Sequence, residues 1–219
     1  MITAGGIVLA GGKSRRFGSP KAFATIDGQP FYMRSIKALM PFVKRMIIVT
    51  NEDLKPFFGK GEYDVVKDME QYTGHGPLAG IYSAMERFSY PWYAVVPVDV
   101  PFIDENVFQA MLPYCQEPVQ AVIPVVNGKK EPLIAIYHHS VKDSLSLQLS
   151  RGKRSVHQWL KEIPNVCEVA MENEKPFINI NRQWDFETYI AKRRFWQLAV
   201  EILSESGLSI REKLKSTLF

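Results

Sequence analysis

Apolar and polar positions along this chain fall into short, buried-looking runs that alternate with stretches of helical spacing. Strand-like runs span Gly6 to Leu9, Arg45 to Thr50, Tyr63 to Val66, Tyr93 to Val98, Gln120 to Val126 and Leu133 to His138. Between the first four lie Phe31 to Met40, Asp53 to Phe58 and Leu78 to Phe88, each with apolar residues at a helix-like period. Strand-helix alternation of this kind predicts an α/β fold: a single-domain, doubly wound, mostly parallel sheet with both faces covered and right-handed crossovers. Ligands of such sheets sit at the carboxyl ends of the strands. The last two runs, separated by Asn127-Gly128, read either as a hairpin or as a crossing between layers. From about Trp184 to Phe219 the pattern gives two helices joined at Gly207. Their apolar face, including Phe186, Tyr189, Phe195 and Leu198, either packs on the core or serves a dimer, and packing is the simpler reading.

Composition narrows the class. The 219 residues, 46% hydrophobic and 23% charged, suffice for one substantial core in an ordinary soluble enzyme. A net charge of +4 suits anionic small molecules and is too small to argue for nucleic acid without a concentrated stripe. Cys115 and Cys167 lie far apart with no C-x-x-C, which suggests two buried free thiols in a reducing compartment. No apolar run approaches the roughly 18 residues of a membrane span, and no signal-peptide pattern opens the chain. A cytoplasmic protein without membrane attachment is expected.

The segment from Ile7 to Lys21 carries the most chemistry. An apolar run breaks into Ala10-Gly11-Gly12 and a basic loop holding Lys13, Arg15, Arg16 and Lys21. Glycines there let backbone N–H groups approach a polyanion, and the cations surround it, as a nucleoside triphosphate requires. Gly12-Lys13-Ser14 ends like a P-loop, but the first glycine of that motif would fall on Ile7, so the P-loop fails by position. Asp99 follows the run Val95-Val96-Pro97-Val98. There a carboxylate can hold Mg²⁺ against phosphate, while Asp104 caps the next helix more naturally. Gly74-His75-Gly76-Pro77-Leu78-Ala79-Gly80 opens a helix with Pro at its first position, leaving N–H groups for a base or phosphate. His75 is expected on the loop surface. Asn51 suits a ribose or base edge and equally suits a helix cap. Arg151, Lys153 and Arg154 form a basic cluster that reads as a solvated face or as an anion site. Phe177-Ile178-Asn179-Ile180-Asn181 puts two asparagines on one face of an expected strand. No G-x-S-x-G or H-E-x-x-H occurs, and no histidine pairs with a candidate nucleophile.

Leu9, Ala10, Gly11, Gly12, Ser14, Arg16, Gly18 and Lys21 match L-A-G-G-x-S-x-R-x-G-x-x-K, the signature of sugar-nucleotide-type nucleotidyltransferases. With Asp68 followed by G-P-L-A-G, Asp99-x-Pro, the loop Asn127 to Leu133 and F-x-N-x-N, the chain resembles the molybdenum cofactor guanylyltransferase family over about residues 5 to 190. Val98 and Val100 depart from the commonest family spelling, and Arg182-Gln183 replaces the usual Thr-Pro.

The resemblance implies a Rossmann-like nucleotide-diphospho-sugar transferase fold over 1–190, with a nucleotide half at about 1–100 and an acceptor half at about 101–190. Residues 191–219 would be a helical extension packed on it. It further implies transfer of GMP from GTP to molybdopterin (Mo-molybdopterin) with Mg²⁺. Arg16, Lys21 and Asp99 would be catalytic, and Asp99 would hold the metal. The nucleotide would be bound by Leu9, Ala10, Gly11, Gly12, Lys21, Asn51, Asp68, Gly76, Pro77, Leu78, Gly80 and Asp99, and the acceptor by Arg154, Asn179 and Asn181. Molybdoenzyme apo-proteins or other cofactor-biosynthesis proteins would be further partners. Two alternatives remain: a sibling enzyme using CTP or another phosphate acceptor, and a GTP-binding escort module without turnover.

Overall fold

A computed structural model of the chain describes residues 2–12, 14 and 16–190. Lys13, Arg15 and the expected extension at 191–219 lie outside the described residues. The chain divides into two compact units. The larger holds every strand among the described residues. The smaller holds Arg16–Gly18 and the described residues from Ile180 onward.

The larger unit begins with β1 (Ala4–Leu9), followed by a short ribbon of β2 (Thr25–Ile26) and β3 (Gln29–Pro30) and then α1 (Phe31–Leu39). Next come β4 (Arg45–Thr50), β5 (Tyr63–Lys67), α2 (Pro77–Arg87), β6 (Trp92–Pro97) and α3 (Glu105–Met111). The remainder is β7 (Ala121–Val126), β8 (Lys129–Lys130), β9 (Ala135–His138), α4 (Lys142–Ser150), α5 (Val156–Leu160) and β10 (Val166–Met171). The main sheet runs β10-β7-β9-β6-β1-β4-β5, with β8 beside β7. All neighbours are parallel except the pairs made by β8 and β9.

β1 lies at the centre of the parallel part, and Ile7 and Val8, which face opposite sides, are both fully buried. α2, α4 and α5 pack on the face that includes Ile7, Val95 and Tyr137, with Trp159 of α5 buried against Tyr137. α1 and α3 cover the other face. Doubly wound architecture is therefore as expected, with one mixed region.

That region resolves the open question at 120–138. Asn127 (φ 50°) and Gly128 (φ 73°) turn β7 into β8, the double positive-φ turn that matches strand twist. β9 then inserts between β7 and β6, antiparallel to both. The connection Glu131–Ile134 is too short for the crossover a parallel strand needs.

Three expectations need correction. Asp53 to Phe58 is not a helix but one 3₁₀ turn, Lys55–Phe57, because Pro56 cannot donate to a longer ladder. Phe177 to Asn181 is not a strand. Lys175–Phe177 is a 3₁₀ turn built on Pro176, and the residues after it join no strand, so Asn179 and Asn181 share no sheet face. Cys115 is buried as expected, but Cys167 is only half-buried. In the smaller unit residues 183–190 are helical, Asp185 accepts from the N–H groups of Asn181 and Arg182, and Phe17 meets Phe186 edge-on at 5.9 Å.

Candidate active site

Strand register brings the candidate residues of the larger unit to one edge. Leu9 pairs with Val49 on one side and Pro97 on the other, and Thr50 pairs with Lys67. The residues that follow each strand, Ala10 to Gly12, Asn51, Asp68 and Asp99, therefore all emerge at the carboxyl edge.

The loop after β1 is fastened on both flanks. Ala10 N–H donates to Val49 O at 2.7 Å, Val98 N–H to Leu9 O at 3.1 Å, and Thr50 Oγ1 to Ala10 O at 3.3 Å. Asn51 donates to Gly11 O at 3.1 Å and accepts from Leu54 N–H at 2.9 Å. Both ends of its amide thus serve the fold: it caps the 51–54 turn and holds the loop. A Cβ at Gly12 would meet nothing within 4 Å among the described residues. The fold itself does not demand glycine there, so the unfilled space is room for an incoming group. No hydrogen bond among the described residues takes the Gly11 or Gly12 N–H.

Ser14 completes this loop, although the family resemblance gives it no role at the site. In left-handed backbone (φ 44°), its hydroxyl accepts from Lys21 N–H at 3.1 Å and donates to Gly12 O at 3.4 Å. The strap spans seven residues and fixes where Lys21 starts its 3₁₀ turn. The motif contains Ser14, but only the fold reveals its partner.

Lys21 Nζ lies 3.7 Å from Asp99 Oδ2. Lys21 is largely covered, while Asp99 keeps 31% of its side-chain surface open. Burial raises the Asp99 carboxyl above its ordinary range, and Lys21 and the Asp99 amide only partly offset this. Glu131, half-buried on the β8–β9 connection, is likewise raised by burial and by the Asp99 charge, against the pull of His157 and Lys129. It is a second carboxylate within the field of the first, and its place before Pro132-Leu133 is the only sequence signal for it.

At the far side Asp68 is raised by burial, while the Gly74 N–H, Arg87 and His75 favour its charged form. Gly76 begins α2 with φ 78° and ψ −160°, a backbone region that only glycine occupies freely. Gly80 presses on the sheet: a Cβ there would sit 2.9 Å from Leu9 Cδ2 and 3.7 Å from Asp68 Oδ1. His75 is half-buried with its ring 5.8 Å from Tyr72, contrary to the expected surface position.

Arg154 is exposed between α4 and α5, Asn179 is exposed after the 3₁₀ turn, and no hydrogen bond or ion pair among the described residues holds either. Arg16 and Asn181 are exposed and belong to the smaller unit.

Comparison with known proteins decides the family. The MobA-like NTP transferase domain matches residues 6–166. The chain belongs to that family. A probable molybdenum cofactor guanylyltransferase of Bacillus cereus is 38% identical over 186 residues, 83% of this chain and 92% of that protein. One from Bacillus anthracis shows the same identity and coverage. Among solved structures, molybdopterin-guanine dinucleotide biosynthesis protein A from Archaeoglobus fulgidus has a TM-score of 0.71 at 24% identity, covering 86% of this chain and 99% of that one. 2-C-methyl-D-erythritol 4-phosphate cytidylyltransferase from Thermus thermophilus has a TM-score of 0.66 at 17% identity, covering 86% and 98%. At such identities these structures share the fold. No helix among the described residues is long and apolar enough to cross a membrane.

Proposed function

We propose that this MobA-like NTP transferase moves GMP from GTP to the terminal phosphate of molybdopterin, giving the guanine dinucleotide form of the cofactor and pyrophosphate. The observation that carries this reading is the Lys21–Asp99 pair at 3.7 Å beside an open, glycine-lined loop, in a chain 38% identical to probable molybdenum cofactor guanylyltransferases.

An acceptor phosphate oxygen forms the new bond to the α-phosphorus of GTP, and the bond from that phosphorus to the bridging oxygen of pyrophosphate breaks. The acceptor phosphate is already an anion near neutral pH, so the chain needs neither a covalent nucleophile nor a general base. Its task is alignment and neutralisation of charge. The Gly11 and Gly12 amides and the Lys21 ammonium bind the triphosphate, and Ser14 and Asn51 keep that cradle in place.

Asp99 fits a magnesium ion. It is a hard oxygen donor, partly open, and its burial leaves the charged form under-compensated by Lys21. One carboxylate plus substrate phosphates is the usual protein share for this ion. When bound, Mg²⁺ would offset charge on the phosphates. Asp68 and the 76–80 turn bind the nucleoside. Arg16 is assigned to the triphosphate, and Arg154, Asn179 and Asn181 to the acceptor.

Incubation with GTP, molybdopterin and Mg²⁺, followed by mass analysis of the pterin product, tests the proposal. A gain of one GMP supports it. Unaltered molybdopterin beside intact GTP contradicts it.

A further inference from the structure

We propose that Arg34 is a positioning residue for nucleotidyl transfer: its guanidinium bridges the segment that carries Lys21 and the loop that carries Asp99, and so sets where the two groups meet. This rests on the GTP reading above and adds what holds its central pair in register.

Arg34 lies on α1, which packs against β1, β6 and the 3₁₀ turn Lys21–Phe23. Its Nη2 donates to Ile26 O at 3.1 Å and to Asp27 Oδ2 at 3.2 Å, while Nη1 donates to Pro101 O at 3.4 Å. Each of these carbonyls stands close to a site residue along a fastened path. From Lys21 to Ile26 the chain is pinned at Ala24, whose N–H donates to Lys21 O at 3.0 Å and whose O accepts from Phe31 N–H at 2.9 Å. Asp99 lies between Pro101, held by Arg34, and Val98, whose N–H donates to Leu9 O at 3.1 Å. One planar group thus ties together the carriers of both partners in the 3.7 Å pair.

The fold holds arginine here at a cost. Nε is buried with no hydrogen-bond partner among the described residues, a penalty that a lysine donating to Ile26 O would not carry. The ion pair with Asp27, whose side chain is 52% exposed, offsets little of it. What arginine alone supplies is a rigid fork whose two ends donate in different directions at a fixed spacing. An ammonium is a point charge on a flexible stem and would leave one of the two carbonyls unheld. Transfer uses that rigidity, because the triphosphate is aligned only if Lys21 and the Asp99 carboxylate already stand in place when it arrives.

The test is titration calorimetry of the full chain with a GTP analogue carrying a methylene bridge between the α- and β-phosphorus, with and without Mg²⁺, beside turnover kinetics. Wild type, Arg34→Lys, Arg34→Met, Asp99→Asn and Arg34→Lys combined with Asp99→Asn are compared, each checked for folding by circular dichroism. Mg²⁺ should tighten analogue binding to wild type. Both Arg34 variants should lose about three- to tenfold of that gain, the worth of one hydrogen bond, and kcat should fall by a similar factor with KM for molybdopterin unchanged. In the Asp99→Asn background Arg34→Lys should remove nothing further, since the two act as one unit. An Arg34→Lys protein with the wild-type Mg²⁺ gain and kcat overturns the role of the fork. An undiminished further loss in the Asp99→Asn background overturns action through Asp99, and loss of native circular dichroism in both single variants makes Arg34 an element of the fold instead. Each of these failures leaves the GTP reading standing, whereas a wild type that binds no analogue overturns both.

Discussion

Replacing Asp99 by Asn should separate stability from catalysis. At 3.7 Å, with an effective dielectric near 20, the gross attraction between Lys21 and Asp99 is about 4 kcal/mol before solvent screening. Burial nevertheless outweighs it, because the carboxyl is held above its ordinary range. Ionised Asp99 is therefore a net cost to the empty protein. The folded state binds the Asp99 proton more tightly than the unfolded chain does, so stability falls as pH rises through the window that opens near the unfolded value of about 3.9. Asn keeps the shape and an acceptor for Lys21 but does not ionise. Asp99→Asn should unfold in urea at pH 7 within about 1 kcal/mol of wild type, or above it, and its advantage should shrink towards pH 4. Mg²⁺ with a GTP analogue at a hundredfold over its Kd should add about 2.7 kcal/mol to wild type, and measurably less to the variant. Turnover should fall at least about a thousandfold, since a lost metal ligand removes several kcal/mol at about 1.4 kcal/mol per decade. A variant destabilised by more than about 3 kcal/mol would make the pair an element of the fold. Turnover within tenfold of wild type would remove the metal from Asp99.

Three other outcomes follow from the same geometry. Gly80→Ala gains about 1 kcal/mol of helix propensity but drives a Cβ to 2.9 Å from Leu9, an overpacking cost of about 1–3 kcal/mol; a net loss in urea melts and a raised KM for GTP are expected, and a stabilised variant with unchanged KM would contradict this. Ser14→Ala removes the acceptor for Lys21 N–H, so kcat/KM for GTP should drop about three- to tenfold with at most about 1 kcal/mol lost from stability; unchanged kcat/KM would free Lys21 from that strap. Burial pushes the Cys115 thiol up to about 12, so a thiol reagent near neutral pH should label Cys167 alone until the protein unfolds; two fast thiols in the native protein would contradict the packing around Met111.

Much of the frame is legible in the sequence because its signals are local. Ile7-Val8-Leu9 and Arg45 to Thr50 read as strands from burial alone, and the turn residues Asn127-Gly128 announce a reversal. Asp104 capping α3 through the Asn106 N–H likewise follows from residue type and place. Other elements are masked by misleading periods. In α4, Leu145, Leu147 and Leu149 alternate like a strand, yet the helix buries Leu145, Gln148 and Leu149 and leaves Leu147 exposed. Phe177 to Asn181 alternates as well, but Pro176 withdraws a donor and no strand lies alongside.

At the site, Lys21 and Asp99 are legible because each stands directly after a recognisable breakpoint. The Ser14 strap spans only seven residues, but residue type alone does not name its partner. The hold of Asn51 on Gly11, 40 residues earlier, is a long-range fact that depends on the register between β1 and β4, which no local pattern in the chain specifies. Glu131 belongs to the same class, since its relation to Asp99 arises only once β9 has reversed beside β6.

The most direct measurement is pyrophosphate release by the purified full chain with molybdopterin and Mg²⁺, comparing GTP with CTP. The account predicts release with GTP, dependence on both the acceptor and the metal, and little release with CTP. Equal or faster release with CTP would contradict the base assignment at Asp68 and Gly76–Gly80, and GTP binding without release under these conditions would contradict guanylyl transfer to this acceptor.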